Sequence, residues 1–295
     1  MTTTNKIASP LSRKAVLVAV NISQWTARKL DRKVTDETNE RYHAADDAGR
    51  FNKLLIAADH LEEMTKLVSQ ARALHYSMTH PWADKGPRIL PNKLFSKFSD
   101  EFRVLKRDFH AAADRFAAVY PALIEERKSK LNGMFNEADY PPAQEIRSKF
   151  KLDLQVLPFP DVDDFRSDLD DDTVAEIKAQ LTTTTANVLN NAVKTTVERI
   201  VKHVGHMATK LAEFDPEDRT KNTFRDSLVE NVRELAELLP ALNITDDPKL
   251  NEIAVRIKRE LCVEDAKDLR DNDLAREAVA KSADEIVAAV SGIFG

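Results

Sequence analysis

The sequence predicts a mainly α-helical protein: long antiparallel amphipathic helices with coiled-coil-like seams, plus one small two-stranded β-ribbon. Three observations predict it. Only 6 of the 295 residues are glycine, while 32% are charged and 42% hydrophobic, a balance that suits long helices with solvated faces and disfavours α/β enzymes with glycine-rich turns. Phe98, Phe102, Leu105, Phe109, Ala112, Phe116, Val119 and Leu123 recur at alternating steps of four and three, a sustained heptad seam. Residues 14–22 and 150–157, by contrast, alternate apolar with polar or small side chains, the pattern of strands.

In chain order, residues 1–13 are polar and are expected to be disordered. Val16, Val18, Val20 and Ile22 mark the first strand. Ser23 is a good N-cap, so a helix is expected from Gln24, with Trp25, Leu30, Val34, Thr38 and Tyr42 along one side and Gly49 as a weak point. A second helix is expected from Phe51, on the stripe Leu54, Ala58, Leu61, Thr65, Val68 and Met78. It should end near His80, because a proline disfavours helix at the residue before it. Pro81, Gly86, Pro87 and Pro91 make residues 81–91 a structured loop. The seam helix follows, with Pro121 expected to kink it and Asn132 and Gly133 to stop it.

Phe150, Leu152, Leu154 and Val156 then point one way, and Lys151, Asp153 and Gln155 the other. An isolated strand is unstable, so this one should pair with residues 16–22 and close residues 14–160 as one domain. Pro158, Pro160 and the acidic run 161–172 read as a linker to a second helical domain, 173–295. There Thr173 and Glu176 suggest a capping box, and Leu189, Val193, Val197, Ile200, Val204, Met207 and Leu211 a second seam. Asp215-Pro216 and Asp247-Pro248 each place a cap before a first-turn proline, and a last helix is expected over residues 265–293.

No catalytic residue, cofactor or metal is expected. Phosphate-cradling loops need clustered glycines, which are missing, and no nucleophile signature is present. Cys262 is the only cysteine and cannot form an internal disulfide. His203 and His206 stand three apart, but no further ligand lies near them. His75 and His80 flank a helix end, where a cation offsets the dipole. The aspartates of 161–172 have Arg166 where a calcium loop needs glycine. No apolar run approaches the ~20 residues of a membrane span and no secretory leader is seen, so a cytoplasmic protein is expected.

Two features point to binding. Trp82, with Asp84 and Arg88 in the same Pro/Gly-rich loop, forms a candidate interaction loop, although a loop tryptophan is more often a plug for a bundle end. Residues 1–150 carry 25 Lys and Arg against 19 Asp and Glu, an excess of +6, and the remainder 19 against 30, an excess of −11. The asymmetry is compatible with nucleic acid on the basic half, with a basic half meeting an acidic half of another subunit, or simply with solvated helix faces, since +6 over 150 residues is a mild excess.

Trp25 with Arg28 and Lys29, the loop Pro81, Trp82, Asp84, Gly86, Arg88, Leu90 and Pro91, and the stretch Phe135, Asn136, Ala138, Asp139, Tyr140 and Pro141 carry a resemblance that continues through Arg147 and Phe150 to Pro158 and Pro160. As a set they resemble an uncharacterised domain family of bacteria and their phages, over residues 14–170 and only weakly beyond. Members are often encoded near MoxR-type AAA+ ATPases and von Willebrand A-domain proteins. The resemblance implies a bacterial or phage-infected cell and an AAA+ ATPase partner, and it brings no catalytic residues. Trp25, Arg28 and Lys29 are a candidate interaction surface. The resulting expectation is a non-enzymatic assembly or adaptor protein, self-associating or acting with such an ATPase. The alternative is a nucleic-acid-binding protein that uses the basic half.

Overall fold

A computed structural model describes residues 11, 13–83, 86–159, 170–218 and 223–292. Almost all of the expected disordered segment 1–13, most of the acidic linker 161–172, and Asp84 lie outside the described residues. The fold is mainly α, with a small antiparallel sheet. The chain forms two compact units: a bundle unit (Met1–Val18, Met78–Ser96, Val156–Gly295) and an insert unit (Ala19–Ser77, Lys97–Gln155). Each is discontinuous in sequence, where a single division at the acidic run was expected.

The sheet has the order β4-β5-β1-β6, with β1 at Ala15–Ser23, β4 at His80–Pro81, β5 at Arg88–Pro91 and β6 at Lys151–Leu157. β1 and β6 are neighbours, as the two alternating segments suggest, and each runs from one unit into the other. The expected two-stranded ribbon is nevertheless a four-stranded sheet. Residues 81–91, expected to be a loop, supply β5 and, together with His80, β4. β5 pairs antiparallel with β1 from Ala15↔Pro91 to Val18↔Arg88, and β4 pairs with β5 at His80↔Ile89 and Pro81↔Arg88. The prolines fall where strands tolerate them, in a two-residue edge strand and at a strand end.

In the insert unit, the helix expected from Gln24 does not form there. Trp25 instead turns its indole onto Tyr120, 5.7 Å away edge to face, and onto Phe116. Ala27 takes φ 52, a left-handed backbone that ends any helical run, and Arg28–Leu30 becomes a short strand, β2. α1 (Arg32–Arg41) starts only after Asp31, whose carboxylate accepts from the Val34 N–H, and it buries Thr35 and Asn39 while Tyr42 stays exposed. The helix expected from Phe51 is likewise delayed. Asn52–Leu54 forms β3 and pairs with β2, a 3-10 turn covers Ala58–Leu61, and α2 runs Glu62–Met78.

α3 (Phe95–Leu131) is the long seam helix, and it continues through Pro121. Of the predicted seam, Phe98, Phe102, Phe109, Ala112, Phe116 and Leu123 are buried, Leu105 is half-buried, and Val119 is half exposed with its neighbour Tyr120 buried instead. The stripe meets other elements of the same unit: Phe98 lies against His75, and Phe116 against Phe150 at 5.4 Å. A short helix, α4 (Ala143–Ile146), precedes β6.

In the bundle unit, α5 (Asp171–Ala212) is capped by Asp170, which accepts from the Thr173 N–H, so Thr173 is a donor inside the first turn and not the cap expected of it. Val197, Ile200, Val204, Met207 and Leu211 of its predicted seam are buried against α6 (Ser227–Leu242), α7 (Pro248–Leu261) and α9 (Asp273–Ser291). Asp247 caps α7 ahead of Pro248, as the dipeptide suggests. Asp215 instead closes a single turn through the Glu217 N–H. The expected last helix is two, because Asn272 ends α8 (Ala266–Asp271) in an extended conformation and caps α9.

β6 buries its apolar stripe only at one end: Leu152 is fully buried, Leu154 partly, and Val156 is 45% exposed. Leu152→Asp places a charge without a partner in the core and should cost several kcal/mol in urea unfolding, whereas Leu154→Asp should cost distinctly less. Equal midpoints for the two variants would show that this end of the strand is not core.

Candidate functional site

Two concave sites of the insert unit share one wall. β2 carries Arg28 and Lys29, which are exposed and opposite Leu54 and Lys53 of β3. Because neighbouring strand residues face opposite ways, Arg28 lines one site and Lys29 the other.

On the Lys29 side is a cleft of about 660 Å³ lined by Asp31, Arg32, Lys53, Met134 and Asp139. Its centre is a buried ion cluster. The Lys53 ammonium lies 2.6 Å from Asp139 and 3.2 Å from Asp31, and donates to the Met134 carbonyl at 2.9 Å. The Lys53 side chain is only 7% exposed. Burial by itself would lower its pKa, but hydrogen bonds and charge from the two carboxylates win and raise it. The amine is therefore held protonated and cannot serve as a nucleophile or base near neutral pH. The Val34 N–H holds the Asp31 carboxyl below its usual range against burial, with Lys53 adding to the effect. Lys53 thus ties β3 to α1 and to the segment after α3.

On the Arg28 side is a larger groove, about 1080 Å³, between the end of β1, the β2–β3 pair and α2. Its floor is apolar: Ile56, Leu61 and Val68 are buried there. Gln24 donates to the Thr65 hydroxyl at 2.9 Å across it. Of its rim cations, Lys66 is paired with Glu62 at 2.7 Å. Arg28 and Arg72 have no ion pair or hydrogen bond among the described residues.

The bundle unit contains a different kind of polar cluster. His80 is fully buried, with Nε2 2.8 Å from the Leu242 carbonyl and Nδ1 3.2 Å from the Thr195 hydroxyl. A carbonyl only accepts, so Nε2 carries the proton. Burial, then the Arg199 charge, push its pKa down to about 3. The cationic His80 expected at a helix end is therefore a neutral core histidine. His75, its expected companion, is also buried, against Phe98 and Tyr76. Arg88 donates to the Thr79 hydroxyl at 2.7 Å, and Trp82 stacks its edge on Phe159 at 4.9 Å within a small apolar cluster. The tryptophan of the candidate loop is thus packed into the bundle unit, and Arg88 is occupied holding the turn before β4.

Of the sequence-derived candidates, Trp25, Arg28 and Lys29 stay close along one chain segment, with Trp25 in the aromatic core and the two cations at the mouths of the groove and cleft. Lys53, Asp31 and Arg72 lie inside segments whose sequence reads as helix, and the spacing of Asp31 before Val34 is the local signal for its cap. Among the described residues, no group of three or more His, Cys, Asp or Glu is placed to hold a metal ion. No protein-family profile, curated protein or solved structure matches the chain.

Two stability measurements test this description. Lys53→Met leaves the largely shielded Asp31 and Asp139 without their cation, and should cost about 3–5 kcal/mol in unfolding at neutral pH. His80 contributes in the opposite pH direction to a salt-bridged histidine. Above pH 6.5 both folded and unfolded states leave the ring neutral; between 6.5 and about 3 only the unfolded chain binds the proton. Stability should therefore fall on acidification through this window by up to ~1.4 kcal/mol per pH unit from this residue, and His80→Gln should flatten the slope in calorimetry.

Proposed function

We propose that the chain is a non-enzymatic assembly or adaptor protein that works by holding another protein, with the groove of the insert unit as its contact surface. The observation that carries the reading is the combination at that groove of an apolar floor, with Leu54 exposed beside it, and two rim arginines that have no acidic partner among the described residues. Interfaces use this pairing of an apolar centre with a polar rim, and arginine is enriched in them. The partner is a second copy of the chain or, as the family resemblance implies, a MoxR-type AAA+ ATPase, in the cytoplasm of a bacterial or phage-infected cell. In keeping with this, no helix among the described residues is long and apolar enough to cross a membrane.

The nucleic-acid alternative draws on the basic excess of residues 1–150. Many of those cations are engaged: Lys53, Lys66, Lys106, Arg115 and Arg147 each sit against a carboxylate. Cations already neutralised release few counterions on phosphate, which weakens that reading. A gel-shift titration beside light scattering at low and high salt decides between the two. The expected result is association beyond the 33.2 kDa chain that persists in high salt, with DNA binding no tighter than about micromolar at ~150 mM salt. A monomer at both salts that binds DNA tightly would reverse the ranking.

A further inference from the structure

We infer that the groove binds an extended, acidic segment of a partner protein by strand addition to the open edge of β1; this rests on the reading of the chain as a protein-holding module. The edge follows from the register. β5 meets β1 only from Ala15 to Val18, so along residues 19–23 no strand among the described residues lies on that side. Antiparallel partners exchange hydrogen bonds at every second residue. The Asn92 N–H donates to the Lys14 carbonyl, so Val16 and Val18 are the next residues of β1 that bond toward β5. Continuing that alternation, Val20 and Ile22 direct their N–H and C=O groups to the side where β5 has ended, and Ile22 lines the groove. An unpaired strand edge beside a helix is the arrangement that accepts an added strand.

The groove's dimensions and charge define the occupant. Its α2 wall runs from Leu61 to Arg72, about 16 Å at 1.5 Å per residue, which is room for about five extended residues. An added strand presents alternate side chains to opposite faces. One set would be apolar, to cover the exposed Leu54 and the half-buried Ile22; the other would be carboxylates, to meet Arg28 and Arg72. Arginine favours this pairing because its planar fork matches a carboxylate. A basic segment would leave both guanidinium groups unpaired beside like charge.

The test uses the full chain and a short fluorescein-labelled peptide of alternating valine and aspartate, with a valine–lysine peptide as control. The aspartate peptide should bind, and the lysine peptide should not. Arg28→Glu and Arg72→Glu, both at exposed positions, should each weaken binding by about tenfold. Ile22→Pro removes one outward donor at a strand edge, where proline is tolerated, and should also weaken it. Amide hydrogen exchange should slow at Val20 and Ile22 when the aspartate peptide is bound. Equal binding of both peptides, or arginine variants that bind as the parent does, would overturn the charge assignment. Binding without protection of Val20 and Ile22 would overturn strand addition. If the aspartate peptide does not bind while the chain still associates in high salt, this inference fails and the adaptor reading survives; if neither is seen, both fail.

Discussion

A buried strand must satisfy its backbone N–H and C=O groups, and β1 is where this requirement shapes the molecule. Its first residues, Ala15 and Leu17, are buried in the bundle unit, and the same strand continues into the insert unit. The Pro/Gly-rich segment after α2 folds into β4 and β5 to complete the pairing of Ala15 to Val18. Its pairing ends at Val18, so among the described residues no strand covers that side of the later residues of β1, where Ile22 lines the groove.

The long periodic elements were legible because burial of a single helix stripe leaves a mark over many turns. α3 and α5 are found where the spacing of Phe98 to Leu123 and of Val197 to Leu211 puts them, and Asp247 with Pro248 fixes the start of α7. The adjacency of β1 and β6 was also legible, from two alternating runs that had no other partner of the same kind. Residues 24–61 were misread because tertiary contacts outweigh local preference there. Trp25 is more stable against Tyr120 and Phe116 than on a helix face, and Ala27 accepts a left-handed backbone to put it there. β4 and β5 escaped notice because two- and four-residue strands are too short to show a period.

The candidate sites were only partly visible for a related reason. Arg28 and Lys29 could be marked as a surface, but a cluster such as Lys53 with Asp31 and Asp139 joins residues over a hundred positions apart, and nothing in the chain around Lys53 announces it. In unfolded sequence a lysine with two aspartates is three surface charges. Drawn together, they hold β3 against the start of α1 and the segment after α3, and the β2–β3 pair supplies one wall of each concave site. Trp82 and Arg88 illustrate the reverse: residues conspicuous in the sequence that the fold spends on packing and on holding a turn.

The interleaving of the two units has a consequence for how the chain comes off the ribosome. All of the insert unit, residues 19–77 and 97–155, is synthesised before α5 begins, and domains generally fold as they emerge. Leu11, Ala15, Leu17 and Ile89, in contrast, belong to a cluster completed by Val188, Ala192 and Ile244. These early apolar residues must wait, exposed, while the later helices are translated. Nascent chains stalled between the end of the insert unit and α6 would therefore carry a finished unit flanked by an unfinished, adhesive one. That interval is when the protein is most exposed to aggregation and most open to chaperones.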